Sequence, residues 1–311
     1  MTAYFENANN LKTTAFRIKE ISSRRNFLKS FNAVYELLKT SVFERNIKDL
    51  LDYLFINKNL SFEIDVNRSH NESMDERLSL EEVSHEIGNN LIIDFYELDD
   101  SKYGLILIKK GKYSQCVVNY PDIINGSFIN DKDIQLFIGS IRDYDHIYIC
   151  PDGKLYNLSF ERVLNCLNIS YLSSVQTLFD NDTDDGNTDQ LVSFVYPDFS
   201  GTQSEDSDRG YTKGVLYGSC LEGTFIRDIY GEKSTIYSSY QANHDNFLNT
   251  KRPRVLHVST HGDYLDNENM EPMDRGILCL SGYNVEDNNY GYISAKEIQY
   301  MDLKGTELVV L

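Results

Sequence analysis

Arg254-Val-Leu-His-Val-Ser-Thr-His-Gly-Asp263 is the stretch on which the fold of this chain turns. It begins as a short, mostly aliphatic run, the composition of a strand buried on both faces. The run ends in His261 and Gly262, and a long polar loop follows over residues 263–276. In open α/β sheets, the carboxyl ends of the strands are where ligands and catalytic groups collect. A histidine there can exchange protons. Gly262 permits close approach to the backbone and leaves its N–H available to a developing oxyanion. On residue types alone, a loop histidine beside a turn glycine stays open as the plainer alternative. His257, on the same strand, reads as a core histidine bonded to a backbone carbonyl or as a buttress for His261. A four-residue histidine spacing suits zinc only on a helix with an intervening glutamate, and neither condition is met.

Outward from this stretch, strand-like and helical runs alternate. Residues 191–196 read as a strand, 221–230 as a helix, 234–237 as a strand, 243–248 as a helix and 306–311 as another apolar strand. Upstream, residues 132–141 read as a helix and 146–150 as a strand stopped by Pro151-Asp-Gly153. Further back, the runs 91–96, 103–108 and 113–120 are separated by turn residues at Asp99-Asp100 and Lys110-Gly111, which predicts an antiparallel meander. Ser79-Leu-Glu-Glu82 has the pattern of a capping box, so a short helix opens there and closes near Gly88. The expected class is α/β: a mostly parallel sheet covered by helices on both faces, with an N-terminal antiparallel β-meander and a short helical segment.

The first 60 or so residues carry helical periodicity, with stripes at Phe27, Phe31, Val34, Tyr35 and Leu38 and at Ile47, Leu50, Leu51 and Leu54. Two short helices bury little surface alone, so they read as the end of a helical array or as a cap on the next domain. The expected division is a helical segment over 1–66, a polar linker over 67–77 and the α/β domain over 78–311. Two loops stand out. Residues 180–189 read as a solvated acidic loop, because the glycine falls one position late for a calcium loop starting at Asp180 and no glutamate stands at the twelfth position. Residues 201–214 read as a polar loop in which Arg209 and Lys213 are candidate nicking sites.

Composition narrows the function classes. The chain has 311 residues, with 30 Lys and Arg against 48 Asp and Glu, a formal charge of −18. That sign repels phosphate backbones and anionic lipid, which argues against nucleic acid and membrane as partners. No apolar run is long enough to span a bilayer, and no secretory leader is visible. Five widely spaced cysteines without a C-x-x-C fit a reducing cytoplasm better than a disulfide framework. No metal or other cofactor is expected.

Further segments extend the pattern around His261. Tyr148-Ile-Cys-Pro-Asp-Gly-Lys-Leu-Tyr-Asn-Leu-Ser-Phe160, Tyr171-Leu-Ser-Ser174, Glu222-Gly-Thr-Phe-Ile-Arg-Asp228, Gln241-Ala-Asn243 and Tyr292-Ile-Ser-Ala-Lys-Glu-Ile298 follow in order. Together with Val255-Leu-His-Val-Ser-Thr-His-Gly262 and the helix and hairpin of residues 79–120, they resemble the CHAT domain, a caspase- and separase-like family of cysteine peptidases. The resemblance covers roughly residues 78–311. It implies a Cys–His dyad in which His261 protonates the leaving amine, while the Gly262 N–H and the N–H of the cysteine hold the oxyanion. In that family the cysteine follows the next core strand, which here begins as Glu307-Leu-Val-Val-Leu311, so the nucleophile is expected a few residues past Leu311. A chain truncated at its C-terminus, inactive alone and weakly stable, is the corresponding expectation.

Among the cysteines present, Cys279 is nearest in sequence but lies in an apolar strand-like run. It reads as a buried small hydrophobe. Cys150 reads as a packing residue. Asp263 and Asp274 are candidates for a pocket that receives a basic substrate side chain, with solvated loop charge as the plainer alternative. The resemblance implies a protein substrate and a helical-repeat sensor or regulatory domain as partners. The rival from another class is a non-catalytic pseudopeptidase or fragment that binds protein without cutting it.

Overall fold

A computed structural model describes residues 21–45, 50–58, 77–179, 188–200, 213–265, 270, 272–285 and 291–311. Ile47 and most of the 67–77, 180–189 and 201–214 segments lie outside them. The chain forms two compact units, Met1–Asp180 and Asn181–Leu311.

In the first unit, α1 (Ile21–Arg45), α2 (Leu51–Asn57) and α3 (Leu80–Glu86) precede the meander β1 (Leu91–Glu97), β2 (Lys102–Lys109) and β3 (Lys112–Asn119). There follow α4 (Tyr120–Ile124), α5 (Lys132–Ile138), β4 (Ile147–Cys150), α6 (Phe160–Leu164) and β5 (Ile169–Tyr171). The strand order is β3-β2-β1-β4-β5, antiparallel in the meander and parallel from β1 to β5. β1 is buried on both sides, and period-two alternation divides its residues between two cores. Leu91, Ile93 and Phe95 meet Ile123, Ile134, Ile138 and Phe160. Ile92 and Tyr96 face Phe31, Tyr35, Val42, Phe43, Leu54 and Phe55, so α1 and α2 cover one face of this sheet. Val34, expected in the apolar stripe, is exposed instead; Val42 and Phe43, one turn beyond Leu38, make the contact. Phe43 seats on Gly104, where a Cβ would stand 2.5 Å from its ring carbons. The capping box opens α3 as the sequence predicts: Ser79 Oγ accepts from the Glu82 N–H, and the Glu82 carboxylate accepts from the Ser79 N–H at 2.7 Å.

The second unit contains β6 (Leu191–Pro197), α7 (Tyr217–Tyr230), β7 (Ser234–Ser239), α8 (His244–Leu248) and β8 (Val255–Ser259). It continues through β9 (Gly262–Tyr264), α9 (Pro272–Arg275), β10 (Gly276–Cys279), β11 (Tyr292–Ser294), α10 (Ala295–Ile298) and β12 (Leu308–Val310). Four strands form a parallel sheet in the order β12-β8-β6-β7. β9, β10 and β11 form a separate small antiparallel sheet. One face of the parallel sheet packs Val192, Phe194, Leu256 and Val258 against Phe247, Leu280, Ile293 and Met301. α7 lies on the other face and approaches through its small residues: a Cβ at Gly223 would stand 2.7 Å from Val195 Cγ2. Its larger residues Leu221, Phe225 and Ile229 are exposed. β12 takes an edge of the sheet with Leu308, Val309 and Val310 exposed. Among the described residues, no helix is long and apolar enough to cross a membrane.

Candidate active site

β8 owes its form to Val255-Leu-His-Val-Ser259, whose alternate residues Leu256 and Val258 enter the core. His257 is thereby turned toward α7. Its Nδ1 lies 2.9 Å from Ser193 Oγ on β6, and its Nε2 lies 3.4 Å from Glu222 Oε2 on α7. The carboxylate can only accept, so the ring proton sits on Nε2 and the serine hydroxyl donates to Nδ1. The partners are thus the side chains of Ser193 and Glu222, neither the backbone carbonyl nor the His261 ring that the sequence left open. The trio has the residue types of a serine hydrolase, but Ser193 is fully buried and no peptide bond reaches it. Its effect is to lock α7 onto the sheet. Ser219, one turn earlier on α7, does the same at the strand ends: its Oγ donates to the Ser259 carbonyl and accepts from the Tyr196 N–H, both at 2.7 Å. Tyr196 is held there in the left-handed region, at φ 49°.

The state of His257 gives a pH test. Burial holds its pKa below the ordinary imidazole value, against the pull of Glu222. Folded His257 stays neutral where the unfolded residue, with a pKa of about 6.5, takes up a proton. Its contribution to stability is thus present above about pH 6.5 and is lost as pH falls toward the depressed folded value. His257→Gln is expected to flatten the dependence of Tm on pH between about 7.5 and 5.5. Superimposable wild-type and variant slopes in a melting series would contradict this.

Past Ser259 the chain turns through Thr260 and His261 into β9. Thr260 Oγ1 donates to the Cys279 carbonyl, and the Cys279 N–H donates to the His261 carbonyl at 2.8 Å. The Leu265 N–H bonds the Arg275 carbonyl at 2.9 Å, which fixes the alternation of the β9–β10 ladder. Gly262, opposite Leu278, falls on a non-bonded pair, so its N–H is directed away from β10. A Cβ at Gly262 would find its nearest neighbours at 3.9 Å, and its φ is not positive. Neither crowding nor backbone conformation requires a glycine there.

The His261 ring is half-buried against Phe199, with ring centroids 5.4 Å apart. Its Nε2 donates to the Gly214 carbonyl at 2.9 Å, which fixes the tautomer, because a carbonyl has no proton to give. Asp263 does not face solvent alone: its Oδ2 meets Lys213 Nζ at 2.7 Å, and its Oδ1 accepts from the Tyr264 N–H at 3.0 Å. The hydrogen bond from Lys213 holds the Asp263 carboxyl below its usual range, and Asp263 in turn raises Lys213. Lys213 is not an exposed nicking site, since its side chain is only 17% exposed. Asp274 lies on α9 and pairs with Lys296 at 2.7 Å.

Cys279 is buried, and desolvation pushes its thiol up to about 11, although the Lys213 charge pulls the other way. A thiol in that state is protonated at neutral pH and is a poor nucleophile. Cys116 is pushed up to about 12 and Cys150 well above its ordinary value, both by burial. Among the described residues, no three His, Cys, Asp or Glu side chains are grouped to hold a metal ion. Sequence reasoning missed Phe199, Lys213, Gly214 and Asn284, which reach the site from loops far along the chain.

Residues 133–311 match the family model of the CHAT domain, a shorter span than the 78–311 suggested by resemblance. No curated protein matches the chain. The match covers more than half of the sequence and contains the parallel sheet, His261 and Gly262. The chain belongs to the CHAT domain family, and through it to the caspase-like cysteine peptidase superfamily.

Proposed function

We propose that the chain carries the histidine half of a cysteine endopeptidase that hydrolyses protein substrates through a Cys–His dyad. The observation that carries this reading is the register of the sheet's edge. β12 runs parallel to β8, with Leu308 opposite Val255, Val309 opposite Leu256 and Val310 opposite His257. His261 stands four positions beyond His257, so a strand continued along β12 comes level with His261 a few residues past Leu311. The reading puts the nucleophile there, and the raised thiols of Cys116, Cys150 and Cys279 favour that position over any of these three.

In the reaction so read, the cysteine thiolate adds to the carbonyl carbon of the scissile peptide. The negative charge passes to the carbonyl oxygen, where the Gly262 N–H and the N–H of the cysteine donate to it. Collapse of this intermediate breaks the C–N bond, and the amine leaves with the proton of the His261 imidazolium. Water then attacks the thioester, His261 takes its proton, and the carboxylate and thiol are released.

The test is covalent capture. A chain that includes the proposed continuation of β12 is treated with a peptidyl acyloxymethyl ketone and mapped by mass spectrometry. The expected adduct sits on a cysteine a few residues beyond Leu311. An adduct on Cys279 overturns the dyad, and no adduct at all favours the binding-only rival.

A further inference from the structure

The geometry points to Lys213–Gly214 as an internal occupant of the substrate position beside His261, and to Asp263 with Asn284 as the subsite that receives a lysine-like side chain and its backbone. This deepens the peptidase reading of His261 and rests on it.

Three kinds of contact converge on these two residues. The Lys213 ammonium meets Asp263 Oδ2 at 2.7 Å, with the Tyr283 ring centroid 6.0 Å away. The Lys213 backbone is held at both its polar groups by one carboxamide: its N–H donates to Asn284 Oδ1 at 2.9 Å, and its carbonyl accepts from Asn284 Nδ2 at 3.1 Å. The next carbonyl, of Gly214, accepts from His261 Nε2. A structural ion pair needs only the first of these. Side chain, backbone and catalytic imidazole engaged together are the contacts of a bound peptide.

The receiving groups are positioned without help from the occupant. Asn284 is fixed through its own N–H, which donates to the Phe199 carbonyl at 2.9 Å, and Asp263 through the β9–β10 ladder and the Tyr264 N–H. Lys213 and Gly214 belong to no strand; they precede α7. The registration also explains why occupancy is compatible with an intact chain. The Lys213 carbonyl is turned to Asn284 instead of the Gly262 N–H, and His261 holds a carbonyl oxygen instead of a leaving nitrogen. The segment therefore blocks the site without being aligned for cleavage. A basic substrate has to displace it, and an internal competitor acts at high effective concentration.

The experiment uses the natural full-length protein, its Lys213→Ala, Lys213→Gln and Asp263→Asn variants, and the double variant Lys213→Ala/Asp263→Asn. Binding of the fluorescein-labelled peptide Ala-Ala-Lys-Gly-Ala, and of its counterpart with Gln for Lys, is read by anisotropy. Release of coumarin from acetyl-Ala-Ala-Lys-aminomethylcoumarin reads turnover, and Tm reads folding. Both Lys213 variants are expected to bind the lysine peptide at least about tenfold more tightly than the wild type. Each should prefer it to the glutamine peptide by about tenfold, the factor that one charge-assisted contact supplies. Asp263→Asn is expected to erase that preference in the Lys213→Ala background. Equal affinity of wild type and both Lys213 variants, with unchanged Tm, overturns the proposal, as does a lysine preference that survives Asp263→Asn. Binding in the expected pattern with no coumarin release removes the peptidase reading and keeps the subsite. Coumarin release without any lysine preference in binding does the reverse.

Discussion

His261→Ala, made in a chain that carries the cysteine proposed above, is expected to lower kcat/KM for peptide hydrolysis by about 10³-fold or more. The loss has two sources. In the proposed dyad the imidazole both takes the proton of the attacking thiol and protonates the departing amine, and the variant lacks both functions. The fold should scarcely notice. The ring is half-buried at the sheet's edge, and its contacts are one hydrogen bond to the Gly214 carbonyl and an aromatic contact with Phe199. The strand is held by other bonds: Thr260 Oγ1 and the Cys279 N–H on one side, and Ser219 on the other. Removing one partly exposed hydrogen bond costs about 1 kcal/mol, so Tm should fall by no more than a few degrees. Activity within tenfold of wild type at an unchanged Tm would remove His261 from the chemistry. A collapse of Tm would instead make it a structural residue.

The frame of this site is legible in the sequence because it rests on local chemistry. Val255-Leu-His-Val-Ser259 can only be an apolar strand, and its end puts His261 at the carboxyl edge of the sheet. The capping box at Ser79 likewise needs no partner outside its own turn. What the sequence conceals is decided by tertiary closure. The sequence places the start of α7 at Leu221; the helix begins at Tyr217, and its first turn carries Ser219, buried and tied to the strand ends through its hydroxyl. Strands β9 and β11 have three residues each, too few for a two-residue period to emerge from the polar loops around them, whereas the apolar run around Cys279 already marks β10. Lys213 meets Asp263 from 50 positions away, and Asn284 meets Lys213 from 71. No spacing rule reaches across such distances. The same holds for His257, whose strand position is local but whose partners Ser193 and Glu222 come from another strand and a helix.

The largest stability effect is expected in the first unit, at Lys58. This residue follows α2 and is buried, with its ammonium pointing into the sheet. An ammonium has three donors, and all three are used: on Asp94 Oδ1 at 2.5 Å, the Phe95 carbonyl at 2.6 Å and the Cys150 carbonyl at 3.2 Å. Asp94 accepts a further bond from the Tyr96 hydroxyl at 2.7 Å. Burial disfavours the charge on Lys58, but Asp94 overrides it and holds the ammonium above its ordinary value. Burial pushes the Asp94 carboxyl up, with Lys58 opposing. Lys58→Met keeps an unbranched side chain as far as Cε, removes the ammonium and leaves Asp94 buried without a cation, which costs about 3–5 kcal/mol. Asp94 then moves further toward its neutral form. A carboxyl whose folded pKa is raised contributes stability that is present below its unfolded pKa of about 3.9 and lost as pH rises through the folded value. The deficit of Lys58→Met should therefore shrink on acidification relative to wild type. Adding Asp94→Asn removes the stranded charge and should recover a large part of the loss. The chain has no tryptophan, so urea unfolding is best followed by circular dichroism. A Lys58→Met variant within about 1 kcal/mol of wild type would mean that the pair contributes no more than an exposed one. A double variant no better than the single would show that the three lost hydrogen bonds, and not the uncompensated carboxylate, dominate the cost.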